Sequence, residues 1–215
     1  MSLYPLAWQW VRRWKVVFRI LLLTGWLLLG VAGAVAHWYG PGVGRTKLDQ
    51  VALHVAAAEK SAADKDYDTT IDEYDAALKA LPEGHLDAAR KIRLEKAKAQ
   101  MLNKQLPEAH GDLRAMVDEL AADPQADPAL LAEARSAQAN SQYYMTWLMR
   151  LEGQGREVWE PEAESARQNY KMLAEDAAKK GDAPAVRKHQ EDLEASIRLA
   201  RMDLSELQGL PLPSQ

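Results

Sequence analysis

Lys65-Asp66-Tyr67-Asp68-Thr69-Thr70-Ile71-Asp72-Glu73-Tyr74-Asp75-Ala76-Ala77-Leu78-Lys79-Ala80-Leu81-Pro82 is the stretch from which the fold is read. Apolar or small residues recur at three- and four-residue steps, which predicts a helix over 67–81. Lys65-Asp66 precedes it as a break, and Pro82 cannot continue it. Thr70 and Ala77 are small enough to let a second helix approach closely, while Tyr67 and Tyr74 on the same side fill the wedge that remains. Such a segment is one half of a helical hairpin packed on its neighbours.

Working outward, the same grammar predicts helices near 46–64, 85–103, 107–122, 128–152, 160–180 and 184–208, separated by short Pro, Gly and Asp breaks. Runs of β-branched and aromatic residues with period two are missing, so the expected class is all-α with no sheet. The aromatic at the turn, small residue three on, aromatic four later, Ala three later and closing Pro are Tyr67, Thr70, Tyr74, Ala77 and Pro82. In this the stretch resembles the second helix of a tetratricopeptide repeat, with Thr70 where that family has Ala. Ala109, Leu113 and Met116 keep the spacing in a second, weaker copy, and Ala166, Tyr170 and Leu173 in a third. The third copy has a long first helix and an expanded turn at 153–160. The first helices lack the family's Trp–Leu–Gly–Tyr signature. The resemblance covers about 46–180 and implies a TPR-like array of antiparallel helical hairpins closed by a C-terminal capping helix. It further implies a scaffold or adaptor binding another protein or peptide, without catalysis or cofactor; the alternative reading is a structural subunit of a larger membrane complex, or a dimer formed through the C-terminal helix.

Before this domain the composition changes. Ile20–Ala36 is seventeen residues without a charge, about 26 Å as a helix, and Val16, Val17 and Phe18 extend it toward the ~30 Å of a hydrocarbon core. Its nine Leu, Ile and Val residues contribute about −3 to −5 kcal/mol toward insertion. Trp8, Trp10 and Trp14 before the run, and Trp38 and Tyr39 after it, are placed as interfacial aromatics, with Arg19 snorkelling outward. The expected layout is a basic, aromatic flank over 1–19, a transmembrane anchor over 20–37, a linker over 38–45, the helical domain over 46–208 and an extended tail over 209–215. Arg12, Arg13, Lys15 and Arg19 lead the run, which orients a single-pass anchor with its N-terminus in the cytoplasm. In a bacterium this puts the anchor in the inner membrane and the domain in the periplasm. The competing reading is a signal peptide cut after Ala34-Val35-Ala36.

The formal net charge is −4, and those four cations leave −8 for the rest. An acidic domain repels phosphate backbones, so nucleic acid is not an expected partner. The sequence has no cysteine, hence no disulfide and no thiolate chemistry. His37, His54, His85, His110 and His189 form no H-x-x-x-H pair, and no nucleophile elbow or phosphate-binding loop occurs, so neither a metal nor an enzymatic reaction is expected.

The candidate binding surface lies in 128–152. Leu130, Ala134, Ala137, Ser141, Tyr144, Leu148 and Leu151 form one face; Asn140, Tyr143, Trp147 and Arg150 form a second. Two such faces mean either a helix sandwiched between neighbours or one with a face turned to a partner through Tyr143, Trp147 and Arg150, residue types enriched at hot spots. Last, Val186, Gln190, Leu193, Ile197, Ala200, Leu204 and Leu207 alternate four- and three-residue steps. This is either the stripe of a capping helix or a coiled-coil seam joining two copies through 186–207.

Overall fold

The computed structural model describes Val31 and residues 41–209. Among them there is no strand, and eight helices follow in order: α1 Pro41–Ala63, α2 Tyr67–Ala80, α3 Leu86–Leu102, α4 Leu106–Ala122, α5 Pro128–Leu151, α6 Arg156–Lys180, α7 Ala183–Arg201 and α8 Leu204–Gly209. By contact the chain divides into 1–49 and 50–215. The anchor expected over 20–37 and the aromatics Trp8, Trp10, Trp14, Trp38 and Tyr39, with Arg19, lie outside the described residues. Among those described, no helix is long and apolar enough to cross a membrane.

Within the second unit each helix packs on the next: α1 on α2 through Val51, Ala58, Tyr74 and Ala77, then α2 on α3, and so on to α7. α3 also meets α5, and α8 meets α5. The core is therefore a string of clusters. Tyr74, Ala77 and Ile92 belong to the first, Leu94, Leu113, Met116, Leu120 and Leu130 to the second, and Ala139, Ala166, Tyr170 and Leu173 to the third.

Four turns share one geometry. After α1, Asp66 N–H donates to Ser61 O and Lys65 N–H to Ala62 O. After α3, Gln105 N–H donates to Gln100 O; after α5, Gln154 N–H donates to Met149 O and Gly153 N–H to Arg150 O; after α6, Asp182 N–H donates to Ala177 O and Gly181 N–H to Ala178 O. These are Schellman-type ends, and the residue in the left-handed region is Lys65, Lys104, Gly153 or Gly181, at φ of 60°, 60°, 74° and 74°. Only the last two are glycines, the residue that adopts this conformation at no steric cost. The hairpins α1–α2, α3–α4 and α5–α6 thus close alike, and the α6–α7 connection closes the same way.

The positions read as small in the sequence, Thr70, Ala109 and Ala166, are at most 1% exposed. Tyr74, Leu113 and Tyr170 one turn later, and Ala77, Met116 and Leu173 after them, are buried too. Each small residue lets its helix seat close to a neighbour, and each larger one fills the next gap.

Several boundaries differ from expectation. The expected linker is helical from Pro41 onward; a proline fixes a helical φ and its missing N–H is no loss in a first turn. The expanded turn at 153–160 does not exist. α6 starts at Arg156 and runs through Pro161. The extra length sits in the helices, 24 residues in α5 and 25 in α6, against 17 in each of α3 and α4. That is about two turns more on each side of the hairpin. The final helix is not continuous either. Asp203 accepts from Glu206 N–H while the Glu206 carboxylate accepts from Asp203 N–H. This reciprocal cap starts α8 after an extended Met202. Consequently Leu207 is buried, Leu204 is 45% exposed, and the stripe from Val186 stops being one seam. Along α7 the buried positions are Ser196 and Leu199, while Gln190 and Ala200 of the expected seam are exposed.

A candidate polar groove between α4, α5 and α6

The two added turns of α5 and α6 determine where the anticipated binding residues lie. Arg150 donates to the carbonyls of Leu199 and Met202, and its guanidinium sits over the Trp159 ring, 4.8 Å from the centroid. A cation on the last carbonyls of α7 complements the helix's negative end. Burial lowers the Arg150 pKa, opposed by the nearby Asp203. Tyr143 meets Tyr144 edge to face, with centroids 5.6 Å apart and planes at 83°. Trp147 is half-buried and its indole N–H is enclosed without an acceptor among the described residues. Asn140 on the same face accepts from the Tyr170 hydroxyl at 2.8 Å. Burial pushes that phenol's pKa well up. The structure therefore brings Asn140 and Arg150 onto the chain's own α6 and α7, leaving Tyr143 and Trp147 half-covered.

A second region of α5 holds polar groups that the apolar periodicity gave no reason to single out. Gln138 and Gln142 are 7% and 5% exposed, one turn apart on the side facing α6. Asn169 Nδ2 donates to Gln142 Oε1 at 2.9 Å and lies 3.5 Å from Gln138 Oε1. Gln142 in turn bonds the Glu162 carboxylate. His110 of α4 closes the row: its Nε2 is 3.5 Å from Glu162 and its Nδ1 is 3.2 Å from Ser141 Oγ. The His110 hydrogen bond holds Glu162 below the ordinary carboxylate pKa; burial opposes this, and Arg114 and Gln142 reinforce it.

Gln138, Gln142, Asn169 and Glu162 of this row line a cavity of about 760 Å³, walled by α4 and α6, a volume in the range of ligand sites. Three cations, Arg114, Arg135 and Lys171, and three anions, Asp118, Glu162 and Glu175, line it. The site is thus polar and electrically balanced. A signal for it did exist in the sequence: amides four residues apart in an Ala-rich helix, on the face that also carries Ala134. It carries none of the apolar periodicity by which cores are found.

Elsewhere, charged side chains serve packing. Arg90, 3% exposed, binds Glu119 and Asp123 at 2.8 Å each and ties α3 to the end of α4. His54 pairs with Glu73 at 2.7 Å between α1 and α2. Among the described residues no group of three or more His, Cys, Asp or Glu side chains converges as a metal site would. No family model, no curated protein and no solved structure matches the chain.

Proposed function

We propose that the chain is a non-catalytic scaffold, a stack of tetratricopeptide-like hairpins that captures another protein and is tethered to a membrane by Ile20–Ala36. One observation carries the hairpin reading. The same three positions are buried in α2, α4 and α6, behind three turns closed by the same hydrogen bonds. Stacked hairpins of this kind leave grooves between successive units, and capture in such grooves needs neither cofactor nor reaction. The tether rests on the sequence: an uncharged run of seventeen residues behind a basic flank. Held at a membrane facing the periplasm, even a weak groove acts at raised effective concentration.

Photo-crosslinking in intact cells tests this. A crosslinker at Gln168, on the groove rim, and another at Trp147 are to be read by mass spectrometry. The reading expects one heterologous protein to be captured in fixed yield from the membrane fraction. Crosslinks only to the chain itself would replace the scaffold with a self-associating structural protein. Recovery of the uncut chain in the alkali-washed membrane pellet checks the tether; a mature N-terminus at His37 would remove it.

A further inference from the structure

Most of the hydrogen-bonding capacity of Gln138, Gln142 and Asn169, the groove's carboxamides inside the exposed rim of Gln168, is accounted for within the chain, and what is left over on these three defines a ligand. The Asn169 amide N–H groups go to Gln142 and Gln138, and Gln142 bonds Glu162. Gln138 Nε2 and Asn169 Oδ1 have no hydrogen-bond partner among the described residues. Neither is among the enclosed polar atoms left without one, which are at Gln100, Trp147 and His189. Both residues line the cavity. A donor and an acceptor on side chains in contact are therefore open to it, and Gln138 is more than nine-tenths buried by its surroundings.

We infer that this groove binds the main chain of an extended peptide, with Gln138 donating to a backbone carbonyl and Asn169 accepting from a backbone N–H. Three features select this class. A peptide unit offers one acceptor and one donor at fixed spacing and carries no charge, which matches the pair left open. The balance of three cations and three anions disfavours a polyanion or a phosphate as occupant. The polar floor disfavours a lipid chain, which would leave carboxamides desolvated without partners. Val117, Ala121 and Met172 supply the apolar wall against which alternate side chains of an extended strand would rest. The inference rests on the scaffold reading and names what its groove grips.

The test is an NMR titration of the purified full-length chain, labelled so that side-chain amide groups are seen. The probe is a hexapeptide of alternating Ala and Ser, acetylated and amidated, so that it carries no charge. The comparison probes are the same peptide methylated on alternate backbone nitrogens, sodium acetate and inorganic phosphate. The plain peptide is expected to move the Gln138 and Asn169 amide signals. Methylation of the bonding edge is expected to weaken binding about tenfold, the worth of one hydrogen bond. Gln138→Met, nearly the same shape without the donor, should weaken it similarly at unchanged thermal melting. The methylated-peptide comparison needs no substitution in the chain, so a misfolded variant does not decide the matter. Equal binding of the methylated peptide overturns the inference, as does an unmoved pair of signals. Acetate or phosphate acting as strongly as the peptide makes the groove an anion site and overturns it too. Crosslinks to a partner from Gln168 alongside a silent peptide titration would leave the scaffold standing and remove only main-chain recognition. A positive titration without crosslinks would do the reverse.

Discussion

Lys65 and Lys104 occupy, at φ of 60°, the position that Gly153 occupies in the third hairpin. A side chain in the left-handed region costs about 1–2 kcal/mol against its Cβ, so these two turns are held by the packing around them. Lys104 is exposed, and its replacement removes strain with little loss of contact. Lys104→Gly is therefore expected to stabilise the fold by about 1 kcal/mol, less a part returned as unfolded-state entropy. A thermal melt checks it, where a rise of about 2–4 °C corresponds to that gain at this chain length. An unchanged or lower midpoint would mean that the Lys104 side chain makes contacts worth the strain. At the same scale Arg150 shows how one residue type fits two readings. Tyr, Trp and Arg on one helical face fit a partner surface, yet the guanidinium holds the carbonyls of Leu199 and Met202. A cationic side chain near the end of another helix looks identical in sequence whichever carbonyls it finds.

Among the elements, the helices were legible and their ends less so. Thr70, Tyr74 and Ala77 announce α2 because burial imposes a period on the chain, and the same period marks α4 and α6. The Asp203–Glu206 cap that breaks α7 from α8 interrupts no apolar step, so the stripe from Val186 to Leu207 reads through it. The groove was the least legible part, since Gln138, Gln142 and Asn169 acquire meaning only when α5 and α6 are laid side by side. α7 also carries a pH-sensitive element. Burial lowers the His189 pKa, which Asp192 and Asp182 partly offset and Lys188 reinforces. Its folded pKa thus lies below the ordinary ~6.5, so the unfolded chain binds the proton first. Its contribution to stability is complete above about pH 6.5 and is lost as pH falls from there through the folded value. Asp192 has the opposite shift, raised chiefly by burial, and acts lower: folding binds its proton above the ordinary ~3.9, which relieves the acid loss. His189→Gln is therefore expected to flatten the fall in urea midpoint between about pH 7 and 5. Wild-type and variant curves that stay parallel there would show that His189 is not the group responsible.

At the scale of the whole molecule, cohesion within the second unit passes from each helix to the next. Beyond sequential neighbours the substantial meetings are α3 with α5 and α5 with α8. A chain held this way has stability close to a sum of unit and interface contributions, so loss at one end is not transmitted in full to the other. At the C-terminal end α7 turns Arg187, Lys188, Glu191 and Glu194 outward, and Leu207 of α8 is fully buried. A chain ending at Lys180 would lose Leu193 of α7 from the cluster of Ala139, Ala166, Tyr170 and Leu173. It is expected to melt at a lower temperature and over a broader range than the full chain. Its far-ultraviolet circular dichroism should fall by the deleted helices and a frayed α6. The clusters around Tyr74 and around Leu113 share no residue with α7 and should persist, which hydrogen exchange at α2–α4 reads directly. If those amides lose protection together with α6, the unit is one all-or-none body. Sequential hairpin packing would then be its shape and not the way its stability is distributed.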